Sequence, residues 1–108
     1  MMALATLMAA ALHAAVPVGV GAREYRFAVY RPTVPAGAVR FNIHNFGEDA
    51  HDLQVSGPRG YRSSVSPDIA PGSTIAFTVR LRNPGRYTLI CVKPGHAALG
   101  MRAVIRVR

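Results

Sequence analysis

From Arg23 onward the chain alternates apolar and polar residues in short runs, the period of half-buried strands. Tyr25, Phe27 and Val29 share one face of a first strand, with Arg26 on the other. Pro32 and Pro35 break it, and Pro35-Ala36-Gly37 makes a turn. Val39, Phe41, Ile43 and Asn45 then alternate with Arg40, Asn42, His44 and Phe46. Leu53 and Val55 mark a further short strand after a turn that ends at His51. Residues 56–73, rich in Gly, Pro and Ser, read as a long connection with Tyr61, Val65 and Ile69 turned inward. Ile75, Phe77, Val79 and Leu81 form another alternating run, and Asn83-Pro84-Gly85 turns the chain into Tyr87–Cys91. Ala103, Ile105 and Val107 end the series. Six or seven short strands with turns at this spacing predict an all-β sandwich.

Upstream the pattern is different. Met1–Ala22 carries no formal charge and is dominated by Ala, Leu, Met and Val. It ends in the small residues Val20-Gly21-Ala22. This predicts an N-terminal hydrophobic leader helix over residues 1–22, a signal peptide or membrane anchor, followed by one folded domain over residues 23–108. The protein is then exported, to the periplasm or the outer face of the cytoplasmic membrane.

A chain of 108 residues, half of them apolar, supports one small core. A single cysteine excludes an intramolecular disulfide, a zinc site built on a cysteine pair and a two-copper centre that needs two thiolates. Thirteen basic residues stand against five acidic ones, and twelve of the thirteen are arginine. Such a balance attracts an acidic partner or an anionic membrane surface. No nucleic-acid reader motif with interleaved aromatic and basic residues is present, so no nucleic-acid partner is expected. The arginines among alternating apolar residues are expected to face solvent.

The chemistry concentrates in Tyr87–Met101, where the only cysteine, a histidine and a methionine stand at Cys91-x4-His96-x4-Met101 spacing. Thiolate, imidazole and thioether are the donors that suit copper. A cysteine and two histidines with a weak axial methionine form the blue-copper electron-transfer arrangement. The second histidine must come from elsewhere, and His51 is the candidate. If Tyr87 and Leu89 face the core, Cys91 does too. Pro94-Gly95 then turns the loop so that His96 and Met101 can face the same place. His44, next to inward Ile43, is expected at the surface.

These residues resemble the cupredoxins, the small type 1 copper proteins, and are most similar to the plastocyanin/azurin and sulfocyanin-like branches. The matching pieces are Val34-Pro35-Ala36-Gly37, Asn45-x-Gly47-x3-His51, Pro71-Gly72, Pro84-Gly85-Arg86-Tyr87 and the Cys91–Met101 loop. The resemblance implies a Greek-key β-sandwich and one type 1 copper held by His51, Cys91 and His96, with Met101 as the weak axial ligand. It also implies a monomeric one-electron carrier, not an enzyme. His96 would present its ring edge as the electron port, within an apolar patch of Pro94, Ala97, Ala98 and Leu99 that meets redox partners, whether acidic or membrane-bound. Family members often carry Asn after the first histidine to tie the two ligand loops together; here it is Asp52. A copper chaperone or storage protein on the same fold is the alternative. A metal-free binding module would use Cys91 and Met101 only as core. A catalyst is disfavoured because no carboxylate pair or nucleophile–base set is visible.

Overall fold

The alternating runs form eight strands, and the computed structural model describes residues 14–108. They are β1 (Val16–Arg23), β2 (Arg26–Val29), β3 (Thr33–Val34), β4 (Gly37–Asn45), β5 (Gln54–Ser56), β6 (Thr74–Leu81), β7 (Gly85–Ile90) and β8 (Arg102–Val107). Two four-stranded sheets result, one in the order β2-β1-β4-β6 and the other β3-β8-β7-β5. Both are mixed: β1 runs parallel to β4 and β3 parallel to β8, whereas the other pairs are antiparallel. Their facing sides supply the core. Val39, Phe41, Ile43 and Asn45 are buried from β4, Tyr87 and Leu89 from β7, and Ile105 and Val107 from β8. In these strands the alternation read in the sequence is the alternation of the pleat.

The expected boundary after Ala22 does not match the described fold. Val16–Arg23 is a strand inside the first sheet, paired with β4 from Val16↔Val39 to Ala22↔Asn45 and with β2 at Val20–Arg23. Val18, Val20 and Ala22 are buried in the core. Residues 16–22 therefore belong to the domain and form no helix; the remainder of the expected leader, residues 1–13, lies outside the described residues. The strand is hidden in the sequence because its outward positions, Pro17, Gly19 and Gly21, carry no polar side chain to mark the alternation. Pro17 is tolerated because β2 covers only Val20–Arg23, so that among the described residues this stretch of β1 has no partner on its second edge. Gly19 and Gly21 leave room for rings that lie over them. A Cβ on Gly21 would stand 3.0 Å from the Tyr30 hydroxyl and 3.3 Å from the Phe46 ring.

The long connection holds in outline. Ile69 is buried and Tyr61 packs half-buried against the core, but Val65 is 42% exposed, contrary to expectation. No helix among the described residues is long and apolar enough to cross a membrane.

Register defines two ends of the sandwich. Asn45, Thr74, Ile90 and Arg102 finish or begin their strands at one end; Gly37, Leu81, Gly85 and Val107 do so at the other. The candidate ligands gather at the first.

Candidate metal centre

Two loops at that end supply the donors, and each is held by side chains that replace the missing ladder. Asn45, fully buried, donates from Nδ2 to the carbonyls of Asp49 and Ile69, both at 2.8 Å, and accepts the Gly47 N–H at 2.8 Å. This closes the turn 45–49 and binds it to the strand-like segment at Ile69. His51 and Ile69 then exchange backbone hydrogen bonds of 3.2 and 2.8 Å, which sets the direction in which the imidazole projects. Ser66 accepts the Leu53 N–H at 2.9 Å and continues the anchoring.

The second loop leaves β7 at Cys91. The Cys91 N–H donates to the Met101 carbonyl at 3.2 Å and the Met101 N–H to the His96 carbonyl at 3.0 Å, so the loop closes on itself. Gly95, with φ of 80°, makes the reversal that brings His96 back toward Cys91. Cys91 and Met101 are fully buried. Asp52 ties the two loops together: its Oδ1 accepts the Val92 N–H at 2.8 Å. The bridging duty expected of an Asn at this position is thus done by a carboxylate, which leaves a negative charge beside the thiol.

Three donor atoms converge. Cys91 Sγ lies 3.5 Å from His96 Nδ1 and 4.0 Å from His51 Nδ1, and the two Nδ1 atoms are 3.3 Å apart. A single ion held about 2.0 Å from each nitrogen and about 2.3 Å from the sulfur would need separations of roughly 3.5–3.7 Å in a trigonal plane. The observed triangle is close to that, and the donor chemistry is the copper set. Among the described residues this is the one group of three His, Cys, Asp or Glu side chains close enough to share an ion. Met101 is held in the same loop by its two backbone hydrogen bonds and is itself buried. His44, by contrast, is directed away from the cluster; its Nδ1 meets Thr74 Oγ1 at 2.6 Å and its ring packs against Phe46.

Two contributors lay outside the sequence reading. Glu24, in the turn between β1 and β2, accepts the backbone N–H groups of Glu48 and Asp49 and brings Oε2 to 3.8 Å from His51 Nε2. Among the described residues that buried Nε2 has no hydrogen-bond partner, and the carboxylate is its nearest counter-charge. Gly47 is the seat for it, since a Cβ there would collide with the Glu24 carboxylate. Tyr25 packs edge-on against His96, ring centroids 4.9 Å apart. The only local signal for either was an acidic residue, rare in this chain, beside an aromatic one.

Ionisation follows from these surroundings. Burial pushes the Cys91 thiol up, opposed by the backbone amides of Asp52 and Lys93 and reinforced by the Asp52 charge. Burial pushes the His51 imidazole down, partly offset by Glu24. Backbone N–H groups, that of Asp49 foremost, hold Glu24 below the ordinary carboxylate range. The thiol therefore gives up its proton readily only to a cation that takes its place, and His51 stays neutral and able to ligate.

The chain belongs to the family described as the cupredoxin-like domain, whose model matches residues 1–101, a span that includes β1. It is 34% identical to a blue copper protein of Pisum sativum over 67 residues, 61% of this chain; the match spans 35% of that protein, about a third of its length. In fold it is similar to reduced auracyanin from Roseiflexus castenholzii, with a TM-score of 0.74 at 20% identity, covering 88% of this chain and 98% of that one. Auracyanin A from Chloroflexus aurantiacus superposes with a TM-score of 0.73 at 22% identity, over 88% of this chain and 100% of that one.

Proposed function

We propose that this protein is a type 1 copper electron carrier, with His51, Cys91 and His96 as equatorial ligands and Met101 as the weak axial one. The observation that carries this reading is the buried triangle of one sulfur and two Nδ1 atoms, 3.3–4.0 Å apart, on loops that the protein itself holds in place. Bound copper would supply a one-electron Cu(II)/Cu(I) couple. The chain supplies everything else. Asn45, Asp52 and the closed 91–101 loop keep the donors where they are in either oxidation state, so little rearrangement opposes electron transfer. Burial of Cys91, His51 and Met101 excludes water.

His96 is the side of the site nearest solvent, with its side chain 13% exposed. Leu99, 64% exposed, stands out in the same loop with Pro94 and Ala98. This is the surface through which a redox partner reaches the site. Four protein donors leave no position for a substrate, which favours a carrier over a catalyst. Operation outside the cytosol belongs to the same reading, since a metal bond protects the lone thiol from oxidation.

The test is titration of the purified protein with Cu(II) under visible absorption. One equivalent should produce an intense blue thiolate-to-copper band. Stoichiometric binding without that band would sink the carrier reading in favour of a copper chaperone or store, and no binding would sink both.

A further inference from the structure

The charges of this chain are sorted along the sandwich axis. All five carboxylates lie at the metal end. Glu24 sits beyond the Arg23↔Arg26 rung, Glu48 and Asp49 follow the end of β4, Asp52 adjoins His51, and Asp68 adjoins Ile69 and binds Lys93 at 2.7 Å. Of the twelve arginines, only Arg23, Arg26 and Arg102 occupy rungs at this end. The other nine lie at mid-sheet or beyond. Arg40 and Arg80 project from the outer face of one sheet, Arg86 opposite Arg106 from that of the other, and Arg82 follows the last rung of β6. Every arginine is exposed, and the described ion pairs involve none of them.

Distance keeps the two signs apart. The nine residues of β4 span roughly 27 Å from end to end, well beyond the about 8–10 Å over which charges interact at physiological salt. The remote half therefore presents an uncompensated positive surface on both faces. The end between those faces, where Arg82 and Arg108 follow the last rungs of β6 and β8, suits an extended anionic plane met end-on. The chain also enters the fold here: Val16 pairs with Val39, two residues from the start of β4, and residues 1–12 are apolar apart from Thr6 and carry no formal charge. An apolar segment joined to a polybasic surface is the two-signal pattern of stable membrane association.

We propose that the arginine-rich half lies against an anionic lipid bilayer, with the metal end turned to the aqueous phase where a redox partner meets it. The surface does not depend on copper, so its failure and the failure of the carrier reading are separable. The test is sedimentation of the full chain, metal-free and copper-loaded, with vesicles of phosphatidylcholine alone or mixed with phosphatidylglycerol. The protein should partition to the mixed vesicles at low salt, equally in both metal states. Combined Arg80→Glu, Arg82→Glu and Arg106→Glu should lower that partition about tenfold or more, given the contribution of each basic residue near a charged bilayer. Arg26→Glu with Arg102→Glu, at the metal end, should change it by less than about threefold, and circular dichroism should show both variants folded. Equal partition to neutral vesicles, untouched by the three charge reversals, would overturn the proposal in favour of insertion through residues 1–13 alone. Failure to bind either vesicle would overturn it as well, and capture of the protein on an immobilised acidic redox protein, lost in the triple variant, would then name that occupant.

Discussion

Where Gly37, Leu81, Gly85 and Val107 end their strands, the chain stays in paired rungs and an apolar core. Val39, Leu81, Tyr87 and Val107 are buried there, and one side-chain bond, from the Tyr87 hydroxyl to the Asn83 carbonyl at 2.7 Å, closes the corner. At the other end the ladders stop and buried or half-buried polar side chains take over, with Asn45, Asp52, Glu24 and Ser66 each capturing backbone groups. Among the described residues the shifted ionisable groups divide in the same way: Glu24, His51, Cys91 and Lys93 are at the metal end, and Tyr61 is elsewhere. Non-directional packing makes a rigid body, whereas hydrogen bonds aimed at particular backbone atoms fix particular side chains. A metal site needs both.

The largest effect should come from Cys91→Ser. A hydroxyl cannot replace the thiolate donor, so the visible band should vanish entirely while the sandwich still folds. A blue band in this variant would move the site elsewhere. Next, Phe41→Ala and Asn45→Ala separate the two kinds of support. Loss of the buried Phe41 ring should cost about 3–5 kcal/mol in urea unfolding, with the copper spectrum of the folded fraction unchanged. Asn45→Ala leaves the Gly47 N–H and the Asp49 and Ile69 carbonyls without their partner, a loss of about 1–3 kcal/mol for each group that stays buried, and should alter the spectrum by releasing His51. If both variants leave the spectrum alone, the division between packing and positioning fails.

A smaller effect is expected from pH on the metal-free protein. The His51 pKa is lowered from its ordinary 6.5, so the unfolded chain binds more protons; stability is full above that value and lost as pH falls through the folded one. The Cys91 pKa is raised from its ordinary 9.0, so the native state keeps its proton longer; stability is full below that value and declines as pH rises toward the folded one. The urea midpoint should therefore peak between the two. A flat profile would mean that neither burial is felt. The smallest effect belongs to Asp52→Asn, which retains an oxygen acceptor for the Val92 N–H but removes the charge beside Cys91. The reduction potential, read by redox titration, should rise, because Cu(II) loses a nearby negative group; an unchanged or lower value would show that the carboxylate is not sensed.

The amino-acid sequence by itself determined most strands and the donor set. In β4, β6, β7 and β8 one face is mostly apolar and the other mostly polar, so the pleat is written in the residues. Cys91 and His96 lie within one loop, and local spacing is enough to bring their donor atoms together. His51 could be matched to them through a motif, but the exchange of hydrogen bonds with Ile69 that aims it was not legible. What only the tertiary structure decided depends on register between distant segments. Strand β1 was invisible because proline and glycine leave its outer face blank, and its pairing with β4 and β2 shows that it belongs to the sheet. Glu24 reaches His51 across 27 positions of chain, seated against Gly47. Carboxylates scattered from residue 24 to residue 68 form one pole only because strand direction returns each to the same end, and no local pattern encodes that.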